Sequence, residues 1–183
     1  MVSPIQVIGY HGTTLQAAAC ILRDGFMISR NEYDWLGDGV YFFQDAPARS
    51  REWARTHHGS DAAVICSVIR VEVEDCMDLL DINWASVLNE AYDSFLRQAK
   101  LAKAALPVQT SGAHRLDRAV INYSVGILAE EGKLIRAVRS AFSEGAPVFP
   151  GSALSDRAHI QIAVRDTSII VESELMDETG GPR

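Results

Sequence analysis

The chain lacks any apolar run of the ~18 residues that a membrane-spanning helix needs, so no such helix is expected. Basic residues are the minority: 17 Lys and Arg stand against 24 Asp and Glu, for a formal net charge of -7. That balance excludes a broadly cationic phosphate-binding surface but not a local basic groove. Cysteine is scarce. Cys20, Cys66 and Cys76 are odd in number and have no metal-ligand spacing. They read as reduced core thiols of a cytoplasmic protein, not as a disulfide framework or a zinc site. None of His11, His57, His58, His114 and His159 pairs with cysteine or carboxylate at metal spacing, so no metal is expected. The start, Met1-Val2-Ser3-Pro4, has no charged segment leading into an apolar one, and no secretory signal is expected. Repeats and low-complexity segments are absent.

What remains is an ordinary globular composition, 48% hydrophobic and 22% charged over 183 residues, enough to bury one core. Gln6 to Tyr10, Val40 to Phe43 and Ala62 to Val73 read as strands. Leu15 to Asp24 carries Leu15, Ala18, Ala19 and Leu22 on one helical face, with Thr13 or Thr14 to cap it and Gly25 to end it. Ser29 to Gly39 reads as a loop. Asp45 is the expected N-cap of a helix to about Thr56, with Pro47 early in it. Trp84 to Ala105 and Leu116 to Glu130 have helical periodicity, broken by Pro107 to Gly112. Leu134 to Phe142, His159 to Arg165 and Ser168 to Val171 are further strand candidates. The expectation is one α+β domain over residues 1–176, with a helical insertion at 75–130 and a disordered tail at 177–183.

Three segments carry candidate chemistry. In Gly9-Tyr10-His11-Gly12-Thr13-Thr14 a histidine at a strand end can bond a sugar hydroxyl. The following glycine lets a flat polar ligand reach the backbone. In Leu36-Gly37-Asp38-Gly39-Val40-Tyr41-Phe42-Phe43, Tyr41 can offer its ring to a planar heterocycle. In Ala46-Pro47-Ala48-Arg49-Ser50-Arg51-Glu52-Trp53, Ser50 and Trp53 share a helix face, so a hydroxyl sits beside a large ring. Each segment alone also fits a capped turn, an alternating core strand, or a helix with a buried tryptophan.

Their order and spacing resemble the NAD-binding half of the ADP-ribosyltransferase superfamily, in its poly(ADP-ribose) polymerase-like, diphtheria-toxin-type branch. The resemblance is strong over residues 9–55, weaker around 156–171, and absent over about 75–130. It implies a split β-sandwich with an NAD cleft. It implies that His11 bonds a ribose 2′-hydroxyl. Gly12, beside Thr13, and Ser50 would hold the nicotinamide carboxamide, and Tyr41 would stack on the ring. Trp53 stands where the family has a second tyrosine, which keeps a stacking surface and loses a phenol.

The family's catalytic glutamate, at the start of a late strand, falls here on Gln161 in His159-Ile160-Gln161-Ile162-Ala163-Val164-Arg165. Glutamine accepts a hydrogen bond but supplies no full negative charge. Glu144 is the candidate for a compensating carboxylate, and Asp38 a weaker one. Alternation places His159, Gln161, Ala163 and Arg165 on one face. The resulting expectation is an NAD-dependent mono-ADP-ribosyltransferase with NAD as co-substrate and a protein or nucleic acid as acceptor. A bacterial toxin with an antitoxin partner, or a phage-defence toxin, fits the small size by analogy. The RNA 2′-phosphotransferase relatives fit an acidic single domain less well. The alternatives are an inactive NAD or ADP-ribose reader, an NAD glycohydrolase, or a domain with no nucleotide pocket. Arg49, Arg51, Arg55, His57 and His58 form a local basic cluster that either meets phosphates or is a solvated helix face.

Overall fold

The computed structural model describes residues 3–110 and 113–177. The β-branched run at Ala62–Val71 is the strand expected there, labelled β3. It pairs along its whole length with β1, Ile5–Thr14, from Ile5↔Val71 to Thr14↔Ala62. β1 is therefore longer than the apolar run suggests, and His11-Gly12-Thr13 lies inside it. Thr14 caps α1, Leu15–Asp24, accepting from Ala17 N–H at 3.1 Å, and Gly25 ends that helix with φ 89°. α1 rests Ala18 and Ile21 on Ala63 and Ile65.

β2 spans Val40–Gln44 and α2 Pro47–His58. The N-cap of α2 is Ala46, not Asp45, whose φ is 51° and whose N–H bonds the Ile8 carbonyl at 2.8 Å. Pro47 starts the helix, since it has no N–H to leave unpaired. β3 stops short of Val73, where a 3-10 turn over Val73–Asp75 leads into β4, Cys76–Asp78. The region expected as a helical insertion thus also includes a strand. α3, Asn83–Leu101, ends before the expected Ala105, and α4 covers Arg115–Glu130. β5 is Ala137–Phe142, β6 His159–Val164 and β7 Ile170–Leu175. Of the tail expected to be disordered, residues 178–183 lie outside the described residues.

The seven strands make one mixed sheet, ordered β4-β5-β6-β2-β1-β3-β7, in which only β4 and β5 run parallel. The fold is α+β, as expected. The sheet is divided by a seam. β1 and β2 pair only at Gly9↔Gln44 and Tyr10↔Phe43, then diverge. On one face Phe42, Ile69, Val71, Ile162 and Val164 form a core with Phe26 packed on it. On the other, Leu36, Met77, Ile121, Val138 and Ala163 are covered by Trp84 and Leu88 of α3 and by Val125 and Leu128 of α4. α2 covers that second face beyond the seam, placing Trp53 and Ala54 against Val64, Tyr10 and Met176.

Candidate functional site

Antiparallel strands turn successive peptide groups alternately to their two neighbours. Ile8 gives its carbonyl to the β2 side, bonding Asp45 N–H. Tyr10 and Gly12 therefore face the same way. If the ladder continued, Gly12 would oppose Tyr41 and bond its carbonyl. Instead His11 Nδ1 bonds that carbonyl at 2.9 Å. The imidazole takes the carbonyl that the ladder would give to Gly12, and β1–β2 pairing stops at Tyr10↔Phe43. A carbonyl only accepts, so Nδ1 carries the proton and Nε2 keeps its lone pair. The ring lies edge-on to Phe26, with centroids 5.4 Å apart, and tilted to Phe42 at 5.7 Å. Burial holds the His11 pKa below the ordinary histidine value. The Tyr41 carbonyl opposes this shift, and His58 adds to it. The result is a neutral imidazole with a fixed acceptor atom.

Gly12 has no room for a side chain. A Cβ there would sit 3.0 Å from the Ser50 carbonyl oxygen, 3.0 Å from Trp53 Cε3 and 3.2 Å from Ala54 Cβ. The three-to-four spacing of Ser50, Trp53 and Ala54 brings all three to this side of α2. Ser50 is 0% exposed, and its Oγ is buried with no hydrogen-bond partner. A buried hydroxyl without a partner is costly, about 1–3 kcal/mol, and its presence beside a strand opening calls for a ligand donor or acceptor. Trp53 has His57 stacked on it at 4.2 Å and 23°. One of its faces is therefore taken. Thr13 is buried opposite Ala63 in β3, on the sheet face away from Gly12.

Tyr41 shares the face of Phe43. Its hydroxyl donates to the Gly37 carbonyl at 2.7 Å and accepts from Leu36 N–H at 2.7 Å. Burial first, then Asp34, raises its pKa far above the ordinary phenol value. The phenol is thus a fixed tie between β2 and the preceding loop. Asp38 belongs to the same loop. Its carboxylate accepts from Arg118 at 2.7 Å and Asn122 at 2.9 Å, both on α4, and it has no place in the seam.

β6 completes the constellation. Gln161 opposes Phe43 in β2 and Ser140 in β5. Its amide Nε2 bonds His159 Nε2 at 2.9 Å, while His159 Nδ1 bonds the Arg157 carbonyl at 2.7 Å. His159 is buried between Phe43, at 5.0 Å, and Phe142, stacked at 5.8 Å. Arg49 of α2 lies 5.1 Å over the Phe43 ring. It bonds Glu144 at 2.5 Å and Glu52 at 3.2 Å, and Arg157 bonds Glu52 at 2.8 Å. Glu144 is thus held with its charge matched by Arg49.

Of the expected basic cluster, Arg49 is held by these carboxylates and His57 by Trp53. Arg51 carries a buried Nη2 with no partner, and Arg55 is exposed. A cavity of about 390 Å³ lies beside β5, under α3 and α4. Trp35, Leu88, Ile121, Ser140 and Phe142 are among its walls. Ser140 and Phe142 in this lining are the β5 partners of Gln161 and His159. Sequence reasoning missed the loop anchor. Arg165 bonds the Asp38 carbonyl at 2.8 Å and Asn122 at 2.9 Å. Alternation along β6 could have pointed to Arg165. Nothing local marks Asn122 or Trp35. Among the described residues, no group of three His, Cys, Asp or Glu could hold a metal, and no helix is long and apolar enough to cross a membrane.

A family model described as the poly(ADP-ribose) polymerase catalytic domain matches residues 5–126. No curated protein and no solved structure gives a significant match.

Proposed function

The chain belongs to the poly(ADP-ribose) polymerase catalytic domain family, which uses NAD for ADP-ribosyl transfer, and from that premise we propose that it transfers a single ADP-ribose unit to a macromolecular acceptor. The observation that carries the reading is the buried, unpartnered Ser50 Oγ on the helix that packs against Gly12, where β1 and β2 stop pairing. A primary carboxamide has one carbonyl and one NH₂, and fits a pair of this kind. NAD, when bound, supplies the reactive bond between its ribose and nicotinamide. Every other role belongs to the chain. Gly12 and Ser50 hold the carboxamide, with Thr13 fixing the strand behind them. His11 Nε2 accepts from a ribose hydroxyl. Tyr41 and Trp53 flank the nicotinamide. Gln161 accepts from the hydroxyl nearest the breaking bond.

A neutral amide stabilises developing positive charge less than a carboxylate does. This supports a slow, single transfer, with Glu144 the nearest candidate for a supplementary charge. The cavity beside β5 supports an approach of the acceptor, protein or nucleic acid, from the α3–α4 side. We assign the protein the role of a bacterial cytoplasmic toxin, in a toxin-antitoxin or phage-defence pair, with the antitoxin as partner. A reading without chemistry, as an NAD or ADP-ribose reader, is favoured only by the missing charge at Gln161. Calorimetry with NAD, together with nicotinamide release, separates these readings. The transferase binds and releases, and His11→Ala and Tyr41→Ala abolish release while the fold survives. Binding without release identifies a reader. No binding overturns the assignment of the pocket.

A further inference from the structure

We propose that His159 is a positioning residue that locks the Gln161 amide with its carbonyl oxygen, not its NH₂, turned to the ligand. The inference rests on the pocket reading above and concerns which end of the amide works. It follows from donor and acceptor chemistry. The Arg157 carbonyl accepts from His159 Nδ1 at 2.7 Å, so the imidazole proton is on Nδ1. Nε2 then holds only a lone pair. The Gln161 atom 2.9 Å away must donate, and the donating end of an amide is its NH₂. The Oε1 atom is left as an acceptor directed away from His159. The ring cannot turn to change this, because Phe43 and Phe142 hold it on two sides and its residue is 8% exposed.

A free glutamine would populate both amide orientations, and one of them presents a donor where a hydroxyl donor must bond. His159 removes that orientation. The same lock makes a carboxylate a poor substitute at this position. A carboxylate oxygen would face the Nε2 lone pair, acceptor against acceptor, unless the imidazole took up a second proton. The neighbouring charged groups, Arg49, Glu52, Glu144 and Arg157, are paired with one another and supply no donor to that gap.

Two measurements test this. Long-range ¹H–¹⁵N spectra of the intact protein at neutral pH report the His159 tautomer without reference to activity. The expected result is protonated Nδ1 and unprotonated Nε2. An Nε2–H tautomer overturns the proposal. Steady-state nicotinamide release is then compared for H159F, which keeps a ring between Phe43 and Phe142, and H159Q, whose new amide carbonyl can accept from Gln161. H159F should lower kcat about tenfold or more, with the NAD Kd changed less than about twofold. H159Q should restore most of kcat. Full kcat in H159F, or no recovery in H159Q despite a native melting transition, overturns it. If H159F does not fold, the spectrum and H159Q decide. A wild type that binds no NAD removes the pocket reading, while the tautomer still tests the lock.

Discussion

At the scale of single residues, the site consists of groups whose own hydrogen bonds are settled, plus one that is left open. His11 and Gln161 each spend one polar atom on the protein and so fix the atom they present, while Tyr41 spends its hydroxyl and presents only its ring. Ser50 spends none. Ser50→Ala should therefore leave the ligand-free protein as stable as wild type or up to about 1 kcal/mol more stable, because an unsatisfied buried hydroxyl is gone. The same change should weaken NAD about tenfold, the worth of one hydrogen bond. Denaturant titration and calorimetry on one sample check both signs. A substantial loss of stability would show that Oγ has a protein partner. Gly12→Ala is the opposite case. Its methyl meets α2 at 3.0 Å and should cost about 1–3 kcal/mol by overpacking, seen as a lower Tm.

His11 also predicts a pH dependence. Its folded pKa is depressed by burial, so between that value and the ordinary histidine value near 6.5 the unfolded chain binds more protons than the folded one. Stability from this group is complete above about pH 6.5 and declines as pH falls toward the folded pKa. The NAD affinity should hold steady as pH is lowered through about 6.5, since Nε2 stays unprotonated in the folded state. Removing the imidazole by His11→Gln should flatten this part of the acid limb in a plot of unfolding free energy against pH.

At the scale of elements, the site depends on how β1, β2 and β6 are spaced and on the loop before β2. Gly37, at φ 82°, lets that loop pass within 2.6 Å of Asn122 Oδ1 from its would-be Cβ. Asn122 in turn receives Asp38 N–H at 3.0 Å and Arg165 at 2.9 Å. Asn122→Ala strips these bonds and should destabilise the fold by about 1–3 kcal/mol. If the loop borders the ligand, the KM for NAD should rise too. An unchanged KM would confine Asn122 to a structural part. Much of this architecture was legible in the sequence. The β-branched run of β3, the Thr14 cap, and the face shared by His159, Gln161 and Arg165 follow from local rules. Other features depend on distant partners. β4 is three residues long and carries no periodic signal. Asp45 has the composition of a cap but its left-handed backbone passes that place to Ala46. The Trp53 ring looked free until His57, one helical turn on, stacked against it. The seam itself is not a property of any segment. It arises because one side chain takes the carbonyl that the next peptide would have used.

At the scale of the molecule, a sheet split at one short seam concentrates otherwise unremarkable residues. His11 and Gly12 come from β1, Tyr41 from β2 and Ser50 from α2, with His11 bonded to the Tyr41 carbonyl and Gly12 packed on Ser50, while Gln161 lies on β6 beside β2. The α3–α4 pair, joined at Ser94 and Tyr123 by a 2.9 Å bond, lies over the other half of the same face and walls the neighbouring cavity. On the proposed reading, such a layout would separate the groups that hold a dinucleotide from the surface that meets an acceptor. Trp35→Ala, at the cavity wall, should therefore reduce transfer to the acceptor more than it reduces NAD affinity.

The most direct measurement incubates the purified protein with NAD labelled in its adenosine half, with cell extract or total RNA present or absent, and follows label transfer and nicotinamide release together. Nicotinamide release is expected to depend on one of these fractions, to be matched by label fixed to a macromolecule, and to be absent in His11→Ala. Nicotinamide release with no label transferred would contradict the transferase and identify a glycohydrolase. No release under any condition, from a protein that binds NAD, would contradict catalysis altogether.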